Sequence, residues 1–449
     1  MKLAVVGAGW AGLAAAVRAT QAGHAVTVFE MALQPGGRAR ELVVDGLALD
    51  NGQHILIGAY RETLALMRTV GADVGAGLLR RPLELRYPDG RGLRLPAGPA
   101  WLVFGLGVAR AVGWTPREKF ALLRAAAGWA LSGFRCAPGT TVDELCRPLP
   151  PAVRALMIDP LCVAALNTPA PTADAAVLLR VLKDALFGGA GGADLLLPRR
   201  SLGALLPQPA LAWLQARGVA LHLGRRVQSL AMLDESQAAD AGSGPGSGSG
   251  SDRGPRWAVD GEAFDGVVLA CTAAEAARLA QGVAPLWAAQ AQALRYEPIV
   301  TVYLRCPGAR LAAPMMALAE GPQAPAQFVF DHQALGASPG VFAFVVSGAR
   351  PWVEAGLEAT AAAVLQQARE AFPAATWPTP PEVLRVVAEK RATFQCVPGL
   401  HRPPATIAPG LVAAGDYVQG PYPATLEGAV RAGQSAVWLL QAPAAAASR

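Results

Sequence analysis

The chain opens on a short apolar run, Lys2 to Gly7 (KLAVVG), rich in valine and lacking the alternation of a half-exposed strand. Such a run predicts a strand buried on both faces of a parallel sheet. The alanine-rich segment Leu13 to Gln21 predicts a helix that Gly23 should end, and Ala25 to Glu30 (AVTVFE) predicts a second buried strand. Further strands are expected over Leu42 to Leu49, Val219 to Leu230 and Trp257 to Thr272, with a short apolar one over Leu411 to Ala414. A helical pattern marks Pro116 to Phe134, with Trp129 and Phe134 on an Ala/Leu surface, and another runs from Leu426 to about Leu440.

Between the first strand and the first helix lies Gly7-Ala8-Gly9-Trp10-Ala11-Gly12. Gly7 permits the tight turn, Gly9 lets a pyrophosphate approach the backbone, and Gly12 lets helix and strand pack closely. The helix N-terminus adds unpaired N–H groups and a partial positive charge. Glu30 stands 18 residues past Gly12, where a carboxylate accepts two ribose hydroxyl hydrogens and repels a 2′-phosphate. This order within thirty residues predicts a Rossmann-like dinucleotide site in an α/β protein. Gly36-Gly37-Arg38 adds a second glycine turn with a cation that can neutralise pyrophosphate or lie against a flavin. Near the other end, Gly415-Asp416 follows the Leu411 to Ala414 run, and Leu426 opens the last helix.

Length and composition narrow the class. At 449 residues, 53% hydrophobic and only 16% charged, the chain has material for a large core, and disorder cannot describe its bulk. Mean hydropathy is +0.31, yet no window of about 18 residues is free of charge or helix breakers, so no membrane span is expected. The net charge of +6 comes mostly from scattered arginines, in runs no longer than a pair, which argues against a nucleic-acid partner. Positive charge on an apolar surface suits an anionic leaflet, and an ordinary soluble basic surface equally. The segment Trp101 to Val112 reads either as a core helix or as an interfacial one, with Arg110, Arg117 and Arg124 among head groups. Six cysteines show neither CxxC spacing nor a compact framework, so no metal site is expected and reduced thiols in a cytoplasm are the simplest reading. The first residues already form a strand, so no export signal is read. Residues 236–256 are Gly/Ser-rich and predict a flexible connector without chemistry.

The arrangement GAGWAGLAAA, VFE and PGGRA resembles the amine-oxidase and phytoene-desaturase superfamily of FAD enzymes. Five further motifs narrow it: Asp50-Asn51-Gly52-Gln53-His54, Asp159 to Pro169, Leu195 to Arg199, Glu389 to Thr393, and Tyr422 to Ala429. Together they resemble the hydroxysqualene dehydroxylase family, the squalene-associated FAD-dependent desaturases of bacterial hopanoid gene clusters. The resemblance covers essentially the whole chain except the Gly/Ser stretch, and departs somewhat after Asp416, which leaves the role of Tyr417 open. It implies a discontinuous FAD-binding domain (1–75, 205–280 and 395–449) interleaved with an α+β substrate-binding domain (76–204 and 281–394). It further implies noncovalent FAD held by Gly7, Gly9, Gly12, Glu30, Gly36, Gly37, Arg38, Val227, Gly415, Asp416 and Leu426, with Ala270 to Thr272 near the flavin pyrophosphate.

The implied reaction is reductive dehydroxylation, in which reduced FAD gives hydride to an allylic carbon of hydroxysqualene while the hydroxyl leaves as water. His54 and Gln53 are the candidate catalytic groups, with Tyr296, Tyr417, Tyr422 and Lys390 as alternatives beside the ring. No second GxGxxG stands in strand–turn–helix context, so an external reductant is expected. The expected location is the cytoplasm, with or without peripheral contact on the inner face of the membrane. A carotenoid-type desaturase, an amine oxidase and a flavin carrier without turnover are the rival readings, since the glycine motifs do not tell hydride donation from hydride removal.

Overall fold

The structure is a computed structural model that describes residues 1–96, 98, 100–187, 189–234 and 256–441. Apart from Arg256, the expected connector 236–256 lies outside the described residues. A six-stranded sheet runs in the order Ala220–Leu223, Ala25–Glu30, Lys2–Val6, Gly266–Leu269, Leu411–Ala413 and Thr406–Ala408. All neighbours are parallel except the last pair. Lys2–Val6 is central, and Leu3, Ala4 and Val5 have no exposed surface, which is why its apolar run does not alternate. The helix Trp10–Gln21 follows, starting earlier than the alanine pattern because Trp10 packs inward and donates its indole N–H to the Ala39 carbonyl at 3.0 Å. Gly23, at φ +79°, ends it as expected.

The last helix, Leu426–Gln441, lies across the first in backbone contact: a Cβ at Gly433 would fall 2.1 Å from the Ala11 carbonyl oxygen. Its first turn is anchored by the buried Glu427 carboxylate. That group accepts from the backbone N–H groups of Glu62 (3.2 Å) and Thr63 (2.9 Å), from the Thr63 hydroxyl (2.8 Å) and from Arg431 (2.7 Å).

Three expected strands are broken by turns. Leu42 to Leu49 is the hairpin Glu41–Val44 and Leu47–Asp50 around Asp45-Gly46, both with positive φ, as a two-residue Asp-Gly turn requires. Trp257 to Thr272 divides into Trp257–Val259, Glu262–Phe264 and Gly266–Leu269, with Asp260-Gly261 making the same kind of turn. Val219 to Leu230 divides into Ala220–Leu223 and Leu230–Met232. Pro116 to Phe134 is helical to Leu131, and Trp101 to Val112 contributes the helix Ala100–Arg110.

A second sheet is antiparallel throughout, in the order Met315–Ala317, Phe328–Asp331, Val341–Val346, Tyr296–Arg305 and Glu382–Phe394. On the long strand, Val300, Val302 and Leu304 pack with Val364 and Ala368 of the helix Leu357–Ala371. Tyr303 points the other way, toward the core shared with the first sheet. A helical unit flanks this sheet: Ala100–Arg110, Pro116–Leu131, a π-turn at Arg154–Ile158 continuing into Asp159–Leu166, and Ala175–Phe187. Asn167 joins unit to sheet from a left-handed backbone at φ 48°. Its side-chain amide donates to the Glu297 carbonyl (3.1 Å) and the Thr393 hydroxyl (3.0 Å), and accepts the Gly348 N–H (2.7 Å). The Asp159 to Pro169 motif is thus a structural joint. Among the described residues no helix is long and apolar enough to cross a membrane.

The Gly433 contact yields the first prediction. Gly433→Val forces the two helices apart and should lower the unfolding free energy by about 1–3 kcal/mol. Urea titration checks this, and an unchanged midpoint would refute the contact.

Candidate active site

The turn after Lys2–Val6 is shaped by close approach. Gly7 (φ +111°) donates its N–H to the Phe29 carbonyl at 2.7 Å, and a Cβ there would lie 2.6 Å from the Ala270 carbonyl oxygen. A Cβ at Gly12 would lie 1.8 Å from the Gly7 carbonyl oxygen. Gly9 is different: a Cβ would meet nothing within 4 Å, and no side chain caps the helix it precedes. The first glycine turn therefore leaves open space in front of uncapped helical N–H groups, the arrangement that admits a phosphate. The second turn packs beside it, with the Gly36 N–H donating to the Ala8 carbonyl at 2.8 Å and Gly37 against the Gly9 Cα. Glu30, buried at the strand end, accepts the N–H groups of Ala8 (2.7 Å) and Ala32 (2.8 Å) on its two oxygens. A carboxylate has about four acceptor positions, so capacity for hydroxyl donors remains.

Arg38 closes the margin. Its guanidinium donates to Asp416 at 2.5 Å and to the Ala392 carbonyl at 2.6 Å, while its own carbonyl accepts from the Asn51 amide at 3.2 Å. Burial pulls the guanidinium's proton affinity down, and Asp416 more than restores it, leaving the group held above its ordinary value. Gly415 lies under the Tyr417 ring, where a Cβ would be 2.7 Å from Cε1. Burial pushes the Tyr417 phenol well above its usual range, and its hydroxyl is buried without a hydrogen-bond partner among the described residues. Such a hydroxyl costs roughly 1–3 kcal/mol. A flavin dinucleotide fits here on three counts: the open approach at Gly9, the cation at Arg38 and the unpartnered phenol.

The other expected cofactor residues join less directly. Val227 is buried and its carbonyl accepts from Arg278 at 2.5 Å; two residues earlier, the Arg225 N–H donates to the Glu30 carbonyl at 2.8 Å. Leu426 opens the last helix beside the Glu427 anchor.

A polar cluster lies where Asp50 to His54 meets the antiparallel sheet. Asp50, buried, accepts the Leu202 N–H at 2.8 Å, and its backbone carbonyl accepts the Tyr303 hydroxyl at 2.9 Å. Burial pushes its carboxyl up to about 7, opposed by the Leu202 bond and assisted by Glu41. The Gln53 N–H donates to the Thr301 hydroxyl at 3.3 Å, and its side-chain oxygen pairs with His332 Nε2 at 3.1 Å. Burial lowers His332 to about 4, so the ring is neutral and Nε2 carries the hydrogen. His332 Nδ1 is buried without a partner among the described residues. His54 Nδ1 lies 2.8 Å from the Gly52 carbonyl and must donate to it. Burial lowers His54 below its ordinary value, the Gly52 bond opposes this, and Arg38 adds to it. His54 is therefore neutral at pH 7 with a lone pair on Nε2, and is not a resting acid.

His332 and Thr301 are participants that the sequence did not announce. Of the aromatic alternatives, Tyr296 is near enough to Arg38 and Asp416 to feel both charges. Tyr422 is held between the guanidiniums of Arg180 (5.2 Å) and Arg431 (5.3 Å). Lys390 is exposed, whereas the neighbouring Glu389 reaches Asn51 at 3.3 Å.

The profile of flavin containing amine oxidoreductases matches residues 10–440. The chain is 29% identical to the hydroxysqualene dehydroxylase of Rhodopseudomonas palustris, covering 98% of each protein. It is 27% identical to that of Sinorhizobium fredii, covering 96% of each. Its fold matches a crystal structure of an oxidoreductase from Methanosarcina mazei with a TM-score of 0.71, at 18% identity and covering 97% and 99% of the two chains.

The Asp50 environment predicts a pH dependence. Because the folded carboxyl titrates above the unfolded one, the folded protein holds an extra proton between about pH 4 and 7, and this group's contribution to stability falls as pH rises through that window. Relative to Asp50→Asn, the native protein should lose roughly 3–5 kcal/mol across it. Urea unfolding at both ends of the window checks this, and parallel profiles would contradict it.

Proposed function

The chain belongs to the flavin containing amine oxidoreductase family and is an FAD-dependent oxidoreductase, and we propose that it converts hydroxysqualene to squalene by reductive dehydroxylation, supplying squalene for hopanoid synthesis. The near full-length likeness to proteins that bear that activity in their name carries the reading. The polar cluster at Gln53, His54 and His332, adjoining the Arg38 margin, supports it.

In this reading Gly7, Gly9, Gly12, Glu30, Gly36, Gly37, Arg38, Val227, Gly415, Asp416 and Leu426 hold the cofactor, the last through the positive end of its helix. Residues 1–75, 205–280 and 395–449 form the cofactor domain, and 76–204 with 281–394 the substrate domain. When bound in reduced form, FAD supplies a hydride. The protein supplies the rest. The allylic C–O bond breaks with both electrons going to oxygen, which takes a proton and leaves as water, and the carbon accepts the hydride. His54 is placed to carry that proton on Nε2. Its lowered affinity makes it a scarce but strong acid, so turnover should rise as pH falls. Gln53, steadied by His332, fixes the segment that presents His54. Reducing equivalents come from an external donor, and a substrate that lives in lipid places the enzyme at the inner face of the membrane.

Two outcomes are expected. Anaerobic mixing of chemically reduced protein with hydroxysqualene should form one squalene per flavin oxidised, measured by lipid chromatography. Oxidised protein introducing double bonds into squalene, with an inert reduced form, would establish a desaturase instead. The rise of kcat toward acid pH should vanish in His54→Gln while FAD content is kept; an unaltered pH profile would remove His54 from the proton path.

A further inference from the structure

We infer that the outer face of the helix pair Ala100–Arg110 and Pro116–Leu131 docks on an anionic lipid surface, and that the apolar pocket between these helices receives the hydrocarbon of a lipid-borne substrate from it. The docking half stands on geometry and charge, and the pocket half rests on the isoprenoid reading above.

The face is apolar where a solvated helix would be polar. Phe120 is 68% exposed and Leu131 90% exposed, with Leu102, Leu106 and Val112 also outward. Arg117, Phe120, Arg124 and Leu131 recur at spacings of three, four and seven, so they form one stripe along the second helix. Leu102 and Leu106, one turn apart, do the same on the first. Bulky apolar groups interleaved with arginines on an exposed stripe are the composition of a helix lying in a lipid interface.

Charge selects the lipid. Residues 100–135 contain Arg110, Arg117, Lys119, Arg124 and Arg135 against a single acidic residue, Glu118. Glu118 is occupied in a capping box with Thr115, and Lys119 donates to the Ala109 carbonyl at 2.9 Å. The four arginines are exposed, and among the described residues none forms an ion pair. Among the described residues no acidic group pairs with this charge, which complements anionic head groups.

The pocket opens on the same face. Its volume is about 210 Å³, and Phe104, Leu123, Trp129, Phe134, Leu161 and Leu178 line it, so it spans from the outer helices to the inner ones. Ala127 and Ala130 line it too and are exposed, which puts its mouth beside the arginine stripe. Each methylene forced through water on its way from lipid would cost about fourfold in partition. A mouth pressed to the bilayer removes that barrier.

The test uses the full-length FAD-loaded protein and vesicles of phosphatidylcholine with or without phosphatidylglycerol. Native protein should sediment with the anionic vesicles and be released by salt. Each guanidinium near the surface contributes roughly fivefold, so Arg117→Gln with Arg124→Gln should weaken binding about 25-fold. Phe120→Ser with Leu131→Ser should weaken it at least about tenfold. Both variants should keep native flavin content and turn over detergent-solubilised hydroxysqualene at the native rate, while losing turnover of vesicle-borne substrate. Native protein that ignores anionic vesicles, or variants that bind as well as native, would overturn the docking face. So would dissociation of a dimer by Phe120→Ser and Leu131→Ser, which would make the occupant a second copy. Vesicle binding with inert detergent-solubilised substrate would overturn the isoprenoid reading and the pocket's role, and leave the docking face standing.

Discussion

The Arg38 guanidinium donates to the Asp416 carboxylate and to the Ala392 carbonyl, and so fastens the second glycine turn both to the C-terminal strand–helix unit and to the antiparallel sheet. These segments are 354 and 378 residues away along the chain. A lysine would satisfy the charge but not reach both partners with a planar fork. The buried Asp416 needs its counter-ion, since removal of one member of such a pair strands the other. Burial lowers the basicity of His54, the same cation adds to that, and it lies near Tyr296 and Tyr417. Cofactor margin and polar cluster therefore share one charge.

That shared charge shapes what the candidate site can do. An imidazole beside a guanidinium and out of water prefers to be neutral, and the Gly52 carbonyl fixes its tautomer. The proton it can carry is held loosely. His332, lowered by burial to about 4, is a fixed neutral donor to Gln53 rather than a second acid. The two histidines differ in role because their environments differ, although both are imidazoles beside one segment.

How much of this was legible follows physical range. The strand, glycine turn, helix and second strand at the N-terminus could be read because each is specified by neighbours in sequence: a doubly buried run, two contacts that exclude a Cβ, and a carboxylate at the strand end. The hairpins at Asp45-Gly46 and Asp260-Gly261 carried the right turn residues, but the apolar runs on either side hid them as single strands. The antiparallel sheet pairs Tyr296–Arg305 with Glu382–Phe394 through shifts in register that no local pattern encodes. Arg38 and Asp416 could be named through a family resemblance, whereas their direct pairing is a fact of three dimensions. His332 could not be found at all, since a lone histidine after a strand carries no signal until Gln53 is folded against it.

We propose that Arg38, paired to Asp416, organises the FAD site. Titration of apoprotein with FAD, followed by the change in flavin fluorescence, tests it most directly when native protein and Arg38→Met are compared at equal helical content by circular dichroism. Loss of a charge-assisted hydrogen bond predicts one FAD bound to each protein, with affinity at least about tenfold weaker in Arg38→Met. Equal affinity in the two proteins would contradict the account.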